Sequence, residues 1–226
     1  MSVWRKNMAT PKITIIDYGV GNLYSLKRAF KFFGIEADIS EDEVSIKKSD
    51  AVILPGVGSF EAGMRGLKMK GLVDVIKKFA ESNKPMLGIC LGAQLMLSTG
   101  HEFGIFNGLD IIKGKVIPFP KLENNEKVPH IGWNNIYKSL QKWERSIFSS
   151  MEENFDVYFV HSYILAPHNK ENIFSLTKYG EYEFCSTIRK GNIYGCQFHP
   201  EKSGPVGLEI IKNFIKIVNN YEKNFR

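Results

Sequence analysis

The sequence predicts an α/β fold, in which a central and mostly parallel sheet is flanked by helices and extended by antiparallel strands. Three observations support this prediction. Short apolar runs alternate with helical patterns through the first hundred residues. Glycine-containing turns follow two of those runs, at 19–22 and 55–58. In the second half, strand-like runs follow one another closely, with turns such as Lys190-Gly191-Asn192.

The first half contains the pattern of a parallel sheet. Ile13 to Asp17 reads as a buried strand, and the helix after it carries Leu26, Ala29 and Phe30 on one face, with Gly34 at its end. Because strands and helices alternate, ligands are expected at the carboxyl ends of the strands. The predicted elements are strands at 13–17, 36–40, 51–54 and 86–89 and helices at 23–33, 42–48, 71–82 and from Leu91.

The second half predicts antiparallel hairpins added to this core. A final amphipathic helix, at about 204–221, has Leu208, Ile211 and Phe214 on one side. The strand-like runs lie near 111–118, 129–137, 156–164, 172–178, 183–189 and 192–198.

Length and composition indicate one globular domain. The 226 residues are 43% hydrophobic and 24% charged, and no apolar run is long enough to cross a bilayer. Residues 1–11 are expected to be a disordered extension without a secretory signal, and the domain is expected to span 12–226. The net charge of +6 comes from scattered lysines, which favours a solvated surface over nucleic-acid binding and leaves an acidic partner or phosphorylated substrate open.

The cysteine count favours a reducing, cytoplasmic location. Three cysteines without a Cys-x-x-Cys pair argue against a disulfide framework and a zinc site. Cys185 and Cys196 lie in strand-like runs and are expected to be buried. No cofactor is expected, because Gly19-x-Gly21 lacks the third glycine of a dinucleotide signature. No metal is expected either, since the sequence-isolated histidines form no ligand constellation: His101, His130 and His168.

Cys90 lies in Gly88-Ile89-Cys90-Leu91-Gly92, after an apolar strand and before a helix. This is the thiol counterpart of the Gly-x-Ser-x-Gly nucleophile elbow. Both glycines are expected to be required, because a side chain at either position would collide with the neighbouring strand or helix. The turn would expose the sulfur at the start of a helix, where backbone amides favour the thiolate.

The segment His199-Pro200-Glu201 supplies the groups that a cysteine nucleophile needs. A histidine can act as the base, and a carboxylate two residues later can orient it. Taken singly, each residue has a structural explanation: Cys90 as a small buried hydrophobe, His199 as a loop residue and Glu201 as half of a solvated pair. Together they predict a Cys90-His199-Glu201 triad.

With these motifs, the chain resembles the class I (triad-type) glutamine amidotransferases, whose single flavodoxin-like domain fits the predicted fold. More narrowly, it resembles the glutaminase subunits of imidazole glycerol phosphate synthase from about residue 12 onward. One departure is Ala93, where the family commonly has Met or Leu. The segments that carry the resemblance are 16–23 (IDYGVGNL), 54–60 (LPGVGSF), 88–94 (GICLGAQ), 129–134 (PHIGWN), 158–163 (YFVHSY) and 197–204 (QFHPEKSG).

The resemblance implies roles for further residues. The backbone N–H of Leu91, at the helix start, is expected to stabilise the oxyanion, and the resemblance adds a second donor from Val57 or its neighbour Gly58. It implies substrate-binding roles for a further set: Gly56, Gln94, His161, Ser162 and Tyr163. It implies a partner interface formed by Asn22, Trp133, Tyr158 and Lys202, although Trp133 and Tyr158 by themselves read as core residues.

The resemblance implies a subunit that hydrolyses L-glutamine and passes ammonia to a cyclase subunit in a heterodimer. That partner would form imidazole glycerol phosphate and aminoimidazole carboxamide ribotide in histidine biosynthesis. Three alternatives remain open at this point. The same half-reaction could serve a sugar amidotransferase of surface-polysaccharide biosynthesis, the chain could be a catalytically silent interaction subunit, or it could be a freestanding glutamine hydrolase.

Overall fold

The computed structural model describes residues 10–122 and 126–225. Most of the predicted N-terminal extension, residues 1–9, lies outside the described residues. The first half contains strands β1 (Ile13–Ile16), β2 (Asp38–Ser40), β3 (Ala51–Leu54) and β4 (Met86–Ile89) and helices α1 (Leu23–Phe32), α2 (Glu43–Lys47), α3 (Phe60–Met69), α4 (Leu72–Glu81) and α5 (Leu91–Leu95).

The second half contains mainly strands and ends in a long helix. Short 3₁₀ turns lie at Lys170–Asn172 and Pro200–Lys202. The other elements are β5 (Thr99–Gly100), β6 (Phe106–Asn107), β7 (Gly114–Pro118), β8 (His130–Lys138), β9 (Phe155–His161), β10 (Tyr163–Pro167), β11 (Ile173–Tyr179), β12 (Tyr182–Lys190), β13 (Ile193–Cys196) and α6 (Gly204–Phe225).

The sheet has a parallel core with antiparallel strands on one side. The neighbouring strands β2, β1, β3, β4 and β13 are parallel, and β12, β10 and β7 continue the sheet in antiparallel pairing. A branch leaves β12 through β11 to β8 and β9. The carboxyl ends of β3, β4 and β13 therefore meet at one edge.

Alternate residues of the parallel strands are buried on opposite faces of the sheet. Ile13, Ile15 and Ile53 contribute to one hydrophobic cluster with α1 and α6, while Ile16 and Val52 contribute to another with helices α2 to α5. This period of two, with both faces buried, is typical of a parallel sheet covered by helices. None of the helices in the described ranges is both long and apolar enough to span a membrane.

Several sequence predictions differ from these elements. The short strands β5 and β6 were not predicted, and the strand predicted at 36–40 begins at Asp38. Helix α3 was not predicted, although Ser59 accepts a hydrogen bond from the Ala62 N–H and so caps it. The predicted strand at 156–164 is two strands, β9 and β10, that separate at Ser162 and pair with different neighbours.

Candidate active site

Cys90 occupies a strained turn between β4 and α5. Its φ of 53° and ψ of −112° lie outside the backbone regions that L-residues favour. The Cys90 N–H donates to the Cys196 carbonyl at 2.7 Å, which ties the turn to the end of β13. Strain of this kind persists only where the surrounding structure imposes it, and it clusters at functional sites.

The two glycines that flank this turn are required by close contacts, as the sequence predicted. A Cβ atom on Gly92 would lie 1.7 Å from the Leu54 carbonyl oxygen, at the end of β3. A Cβ atom on Gly88 would lie 2.9 Å from the backbone nitrogen of Ala93 and 2.7 Å from the Met96 side chain. The nearby Ala93 is fully buried and lies close to Gly88 and Gly195, away from the cavity lining described below.

Gly92→Ala is expected to lower the free energy of unfolding by more than about 4 kcal/mol, because the backbone of β3 or α5 would have to move. The matched control is Gly34→Ala, at the end of α1. Gly34 has a positive φ of 76°, and open space surrounds its Cβ position. Only backbone strain would be added there, at a cost of about 1 kcal/mol. Urea denaturation of both variants would test this, and equal losses would contradict the contact-based explanation.

The predicted base and its carboxylate form a buried pair. His199 Nδ1 lies 2.8 Å from Glu201 Oε1, and both side chains are 2% exposed. The His199 N–H donates to the Tyr158 carbonyl, and the Ser203 hydroxyl donates to the His199 carbonyl. Among the described residues, none is hydrogen-bonded to His199 Nε2. The ring is therefore held from one side and remains available to the sulfur on the other.

The electrostatics of His199 depend on this pairing. Burial alone would lower its pKa, but the adjacent Cys90 sulfur and the Glu201 carboxylate together raise the pKa to about 9. This raised pKa favours the protonated ring at neutral pH. A protonated histidine beside a thiolate is the ion pair that cysteine hydrolases use.

A cavity of about 250 Å³ opens onto the sulfur. Its size suits a small molecule, and Glu102 carries the one carboxyl side chain among its lining residues. Seven of the residues predicted from sequence line it beside Cys90: Val57, Gly58, Leu91, Gln94, His161, Ser162 and Tyr163.

The loop after β3 approaches the elbow closely. The Tyr18 hydroxyl donates to the Pro55 carbonyl, and a Cβ atom on Gly56 would lie 2.3 Å from that hydroxyl oxygen. Gly58 has a φ of 104°, which is unfavourable for other residues. Gly56 therefore packs behind the cavity, whereas Val57 and Gly58 face it.

The side chain of Gln94 is used within the protein. Its amide nitrogen donates to the Tyr163 carbonyl at 3.3 Å and to Gln197 Oε1 at 3.1 Å. The Gln197 amide nitrogen lies in turn 3.9 Å from the Cys90 sulfur. Sequence reasoning did not single out Gln197, although it directly precedes Phe198 and His199.

Sequence reasoning also missed Val160, whose carbonyl lies 3.8 Å from the Cys90 sulfur, and Glu102. Glu102 is the charged one of these two lining residues by side-chain type. It lies between β5 and β6 in the chain, and its Oε2 accepts the Phe60 N–H at the start of α3 at 2.7 Å. No motif surrounds it. Only the tertiary structure brings this carboxylate to the cavity.

Three of the four predicted interface residues form one surface cluster. Trp133 and Tyr158 are cross-strand neighbours with ring centroids 6.2 Å apart, and Lys202 Nζ lies 6.0 Å from the Tyr158 ring. Trp133 is 58% exposed, so the reading of it as a core residue is wrong. Asn22 caps α1 and is exposed, and its side-chain oxygen accepts from the Ser25 N–H within that helix.

The other two cysteines are structural, as the sequence predicted. Cys185 is 5% exposed and Cys196 is fully buried, and neither forms a disulfide. Burial raises the pKa of the Cys185 thiol to about 12 and raises that of Cys196 further. Neither is suited to act as a nucleophile at neutral pH.

Comparison with known proteins gives a consistent result. The family model described as glutamine amidotransferase class-I matches residues 14–218. The chain is 44% identical over 210 residues to imidazole glycerol phosphate synthase subunit HisH 1 of Legionella pneumophila (strain Paris), covering 91% of this chain and 99% of the relative. It is 45% identical over 205 residues to subunit HisH 2 of Methanococcus maripaludis, covering 90% and 98%.

Solved structures share the fold at lower identity. A putative GMP synthase subunit from Thermoplasma acidophilum superposes with a TM-score of 0.69 at 20% identity, covering 96% of this chain and 98% of that one. PurLQS from Thermotoga maritima gives a TM-score of 0.69 at 18% identity, covering 95% and 100%. The predicted fold class is confirmed.

Proposed function

This chain belongs to the class-I glutamine amidotransferase family, and we propose that it is the glutaminase subunit of an imidazole glycerol phosphate synthase. The observation that carries the proposal is the buried His199–Glu201 pair beside a strained cysteine at the mouth of a small cavity. The names of the relatives described above support the histidine-pathway cyclase as the client rather than a sugar amidotransferase.

In the proposed reaction, the Cys90 thiolate attacks the side-chain amide carbon of glutamine. The resulting oxyanion would be stabilised by the Leu91 N–H and by an N–H from Val57 or Gly58. His199 gives its proton to the departing nitrogen, so ammonia leaves and a glutamyl thioester remains. His199 then takes a proton from water as the water attacks the thioester, which releases glutamate and regenerates the pair.

The cavity lining supports an orientation for the substrate. We place the α-ammonium group of glutamine near Glu102, because this is the one carboxyl side chain among the residues that line the cavity. Ser162 and the backbone of 161–163 would then face the remaining polar atoms. Glu201 keeps the His199 ring in one tautomer and stabilises its charged form.

The partner is proposed to be a cyclase subunit in a heterodimer, which receives the ammonia. The exposed Trp133 and the half-buried Tyr158 support a contact surface here, since large aromatic side chains are enriched in interfaces. The Tyr158 carbonyl also accepts the backbone N–H of His199, so strand β9 joins the proposed interface to the triad. We propose a cytoplasmic location, which the three free thiols support.

Ammonia release from glutamine is the direct test, measured for the chain alone and with the histidine-pathway cyclase and its nucleotide ligand. We expect the liganded cyclase to raise the rate sharply. Trp133→Ala should weaken this stimulation, because it removes the largest exposed side chain of the cluster. Leu140→Ala is the matched control, since it removes another highly exposed apolar side chain, 90% exposed, and should leave the stimulation unchanged. A rate indifferent to the cyclase would contradict the proposal.

A further inference from the structure

Two buried histidines are joined beside the cavity. His130 on β8 and His161 on β9 are directly opposite each other in the strand pairing, and His130 Nδ1 lies 3.0 Å from His161 Nε2. Their outer nitrogens are also occupied: His161 Nδ1 lies 2.9 Å from the Tyr163 carbonyl, and His130 Nε2 lies 3.2 Å from Asn134 Nδ2. All four ring nitrogens therefore have partners within the protein.

The partners determine where the protons lie. The Tyr163 carbonyl can only accept, so His161 carries its proton on Nδ1 and accepts at Nε2. His130 must then donate from Nδ1 and accept at Nε2 from the Asn134 amide. The orientation of Asn134 is fixed separately, because its Nδ2 also donates to the Lys178 carbonyl at 3.0 Å and its Oδ1 accepts the Asn135 N–H at 2.7 Å. Both histidines are neutral Nδ1–H tautomers.

The surroundings oppose a charge on either ring. Burial lowers the pKa of His130 to about 4. Burial lowers the pKa of His161 to about 3 in spite of the Tyr163 hydrogen bond, and positive charge on His130 or His199 lowers it as well. The rings packed on the pair are Phe119, Phe159, Tyr179 and Phe184.

Tyr179 is the titratable side chain among those four rings, and its hydroxyl is hydrogen-bonded away from the two histidines. The Tyr179 hydroxyl donates to the Lys127 carbonyl, and burial and the charge of Glu126 raise its pKa. Positive charge on His199 also disfavours a positive charge on His161.

This pair joins the proposed interface strand to the nucleophile. On β8 the side chains of His130 and Asn134 point inward, while Ile131 and Trp133 are 59% and 58% exposed. At the other end, the Tyr163 carbonyl also accepts from Gln94, whose amide contacts Gln197 beside the Cys90 sulfur. One continuous series of buried and partly buried polar contacts therefore runs from β8 to Cys90.

We propose that His130 and His161 are positioning residues, which fix the Tyr163 carbonyl and Gln94 relative to Cys90 from strand β8. The kinetic part of this proposal rests on the proposed glutaminase function. The assignment of the two histidine tautomers does not. Because both ring nitrogens of His161 are occupied, it acts through the cavity wall rather than by hydrogen-bonding glutamine with its ring. A polar network of this kind rigidifies a site when every member is satisfied.

The tautomers can be measured by ¹⁵N NMR of the full chain labelled at histidine. We expect two imidazoles that stay neutral and Nδ1-protonated between about pH 5 and pH 8, where an ordinary histidine titrates. Loss of one signal in His130→Leu and of the other in His161→Leu would assign them. Titration of either ring in that range, or an Nε2–H tautomer, would overturn the proposal whether or not the chain releases ammonia.

The kinetic test compares kcat/KM for glutamine in His130→Leu and His130→Asn. Asparagine keeps an N–H donor at the δ position toward His161, whereas leucine removes it. We expect kcat/KM for glutamine to fall about 10- to 100-fold in His130→Leu, because the cavity wall loses its anchor, and to recover in large part in His130→Asn. Equal losses in both variants, or no loss in His130→Leu, would overturn the positioning role.

If His130→Leu does not fold, Asn134→Asp provides a second test of the proposed series of contacts. The carboxylate would accept from His130 Nε2, so His130 should become protonated near neutral pH, while its Nδ1–H still reaches His161. We expect a titrating His130 signal with ammonia release largely retained. A His130 that remains neutral in this variant would show that Asn134 does not set its tautomer, which would overturn the proposed series of contacts.

Discussion

Replacing Cys90 with glycine is expected to abolish ammonia release and, at the same time, to make the protein about 1 kcal/mol more stable than Cys90→Ala. The backbone at Cys90, with φ of 53° and ψ of −112°, costs an L-residue about 1–3 kcal/mol. Glycine avoids most of that cost but loses about 0.5–1 kcal/mol through the greater freedom of its unfolded chain. Alanine removes the sulfur and keeps the strain.

Urea denaturation of Cys90→Gly and Cys90→Ala measures the cost of the backbone strain, and an ammonia assay of the same variants measures the loss of the nucleophile. Both should lower the rate by about 10⁴-fold or more, as expected when a nucleophile is removed. Cys185→Ala is the matched control: this thiol is also buried, but it lies on β12 outside the cavity, so ammonia release should persist. Ammonia release by Cys90→Ala would refute the nucleophile assignment, and equal stability of the two Cys90 variants would refute the strain.

The sequence was most informative where local pattern and tertiary structure agree. Strands β3 and β4 were predicted to the residue, because short runs that are apolar on both faces end at Pro55 and Cys90 and have few alternative structures. The proximity of Cys90 and His199 was expected from their motifs, but the run at 192–198 was assigned to an antiparallel hairpin. The structure shows that β13 also pairs in parallel with β4, and this pairing brings the carboxyl ends of the two strands together. Their catalytic roles remain predictions.

Helix α3 shows how tertiary contacts can hide a local signal. Gly63 and Gly66 lie within it and lower its helix propensity. Both are explained by close approaches that only the fold reveals: a Cβ atom on Gly66 would lie 2.5 Å from the Tyr18 carbonyl oxygen, and one on Gly63 would lie 3.0 Å from the Leu95 side chain. The pattern of Phe60, Gly63, Met64 and Leu67 on the buried face was therefore obscured.

The exposure of Trp133 and the position of Glu102 at the cavity cannot be predicted from a local sequence pattern. An alternating strand does not show which of its faces is covered, so the exposure of Trp133 depends on the placement of the β8–β9 branch. Glu102 reaches the cavity because its loop is bound to the start of α3 through Phe60. Both residues lie where separate elements meet.

The second large effect is expected for Glu201→Gln, which should lower the rate of ammonia release by about 10³- to 10⁴-fold while the protein stays folded. The carboxylate contributes to raising the pKa of His199 to about 9, against the opposing effect of burial. An amide of the same shape removes that charge, so the pKa of His199 falls and less of it is protonated at neutral pH. The amide can also present an N–H to Nδ1, which favours the wrong tautomer.

The expected fall in the pKa of His199 can be tested by measuring how the alkylation of Cys90 by iodoacetamide depends on pH. Since the pKa of His199 is raised to about 9, we expect a positively charged ring beside the sulfur to keep it reactive from pH 6 to pH 8. In Glu201→Gln the reactivity over that range should drop and become strongly pH-dependent. Glu209→Gln removes a carboxylate that pairs with Lys212 at the surface and should behave as the native chain does. An unchanged profile in Glu201→Gln would mean that Cys90 and His199 form their ion pair without the carboxylate, and Glu201 would then only orient the ring.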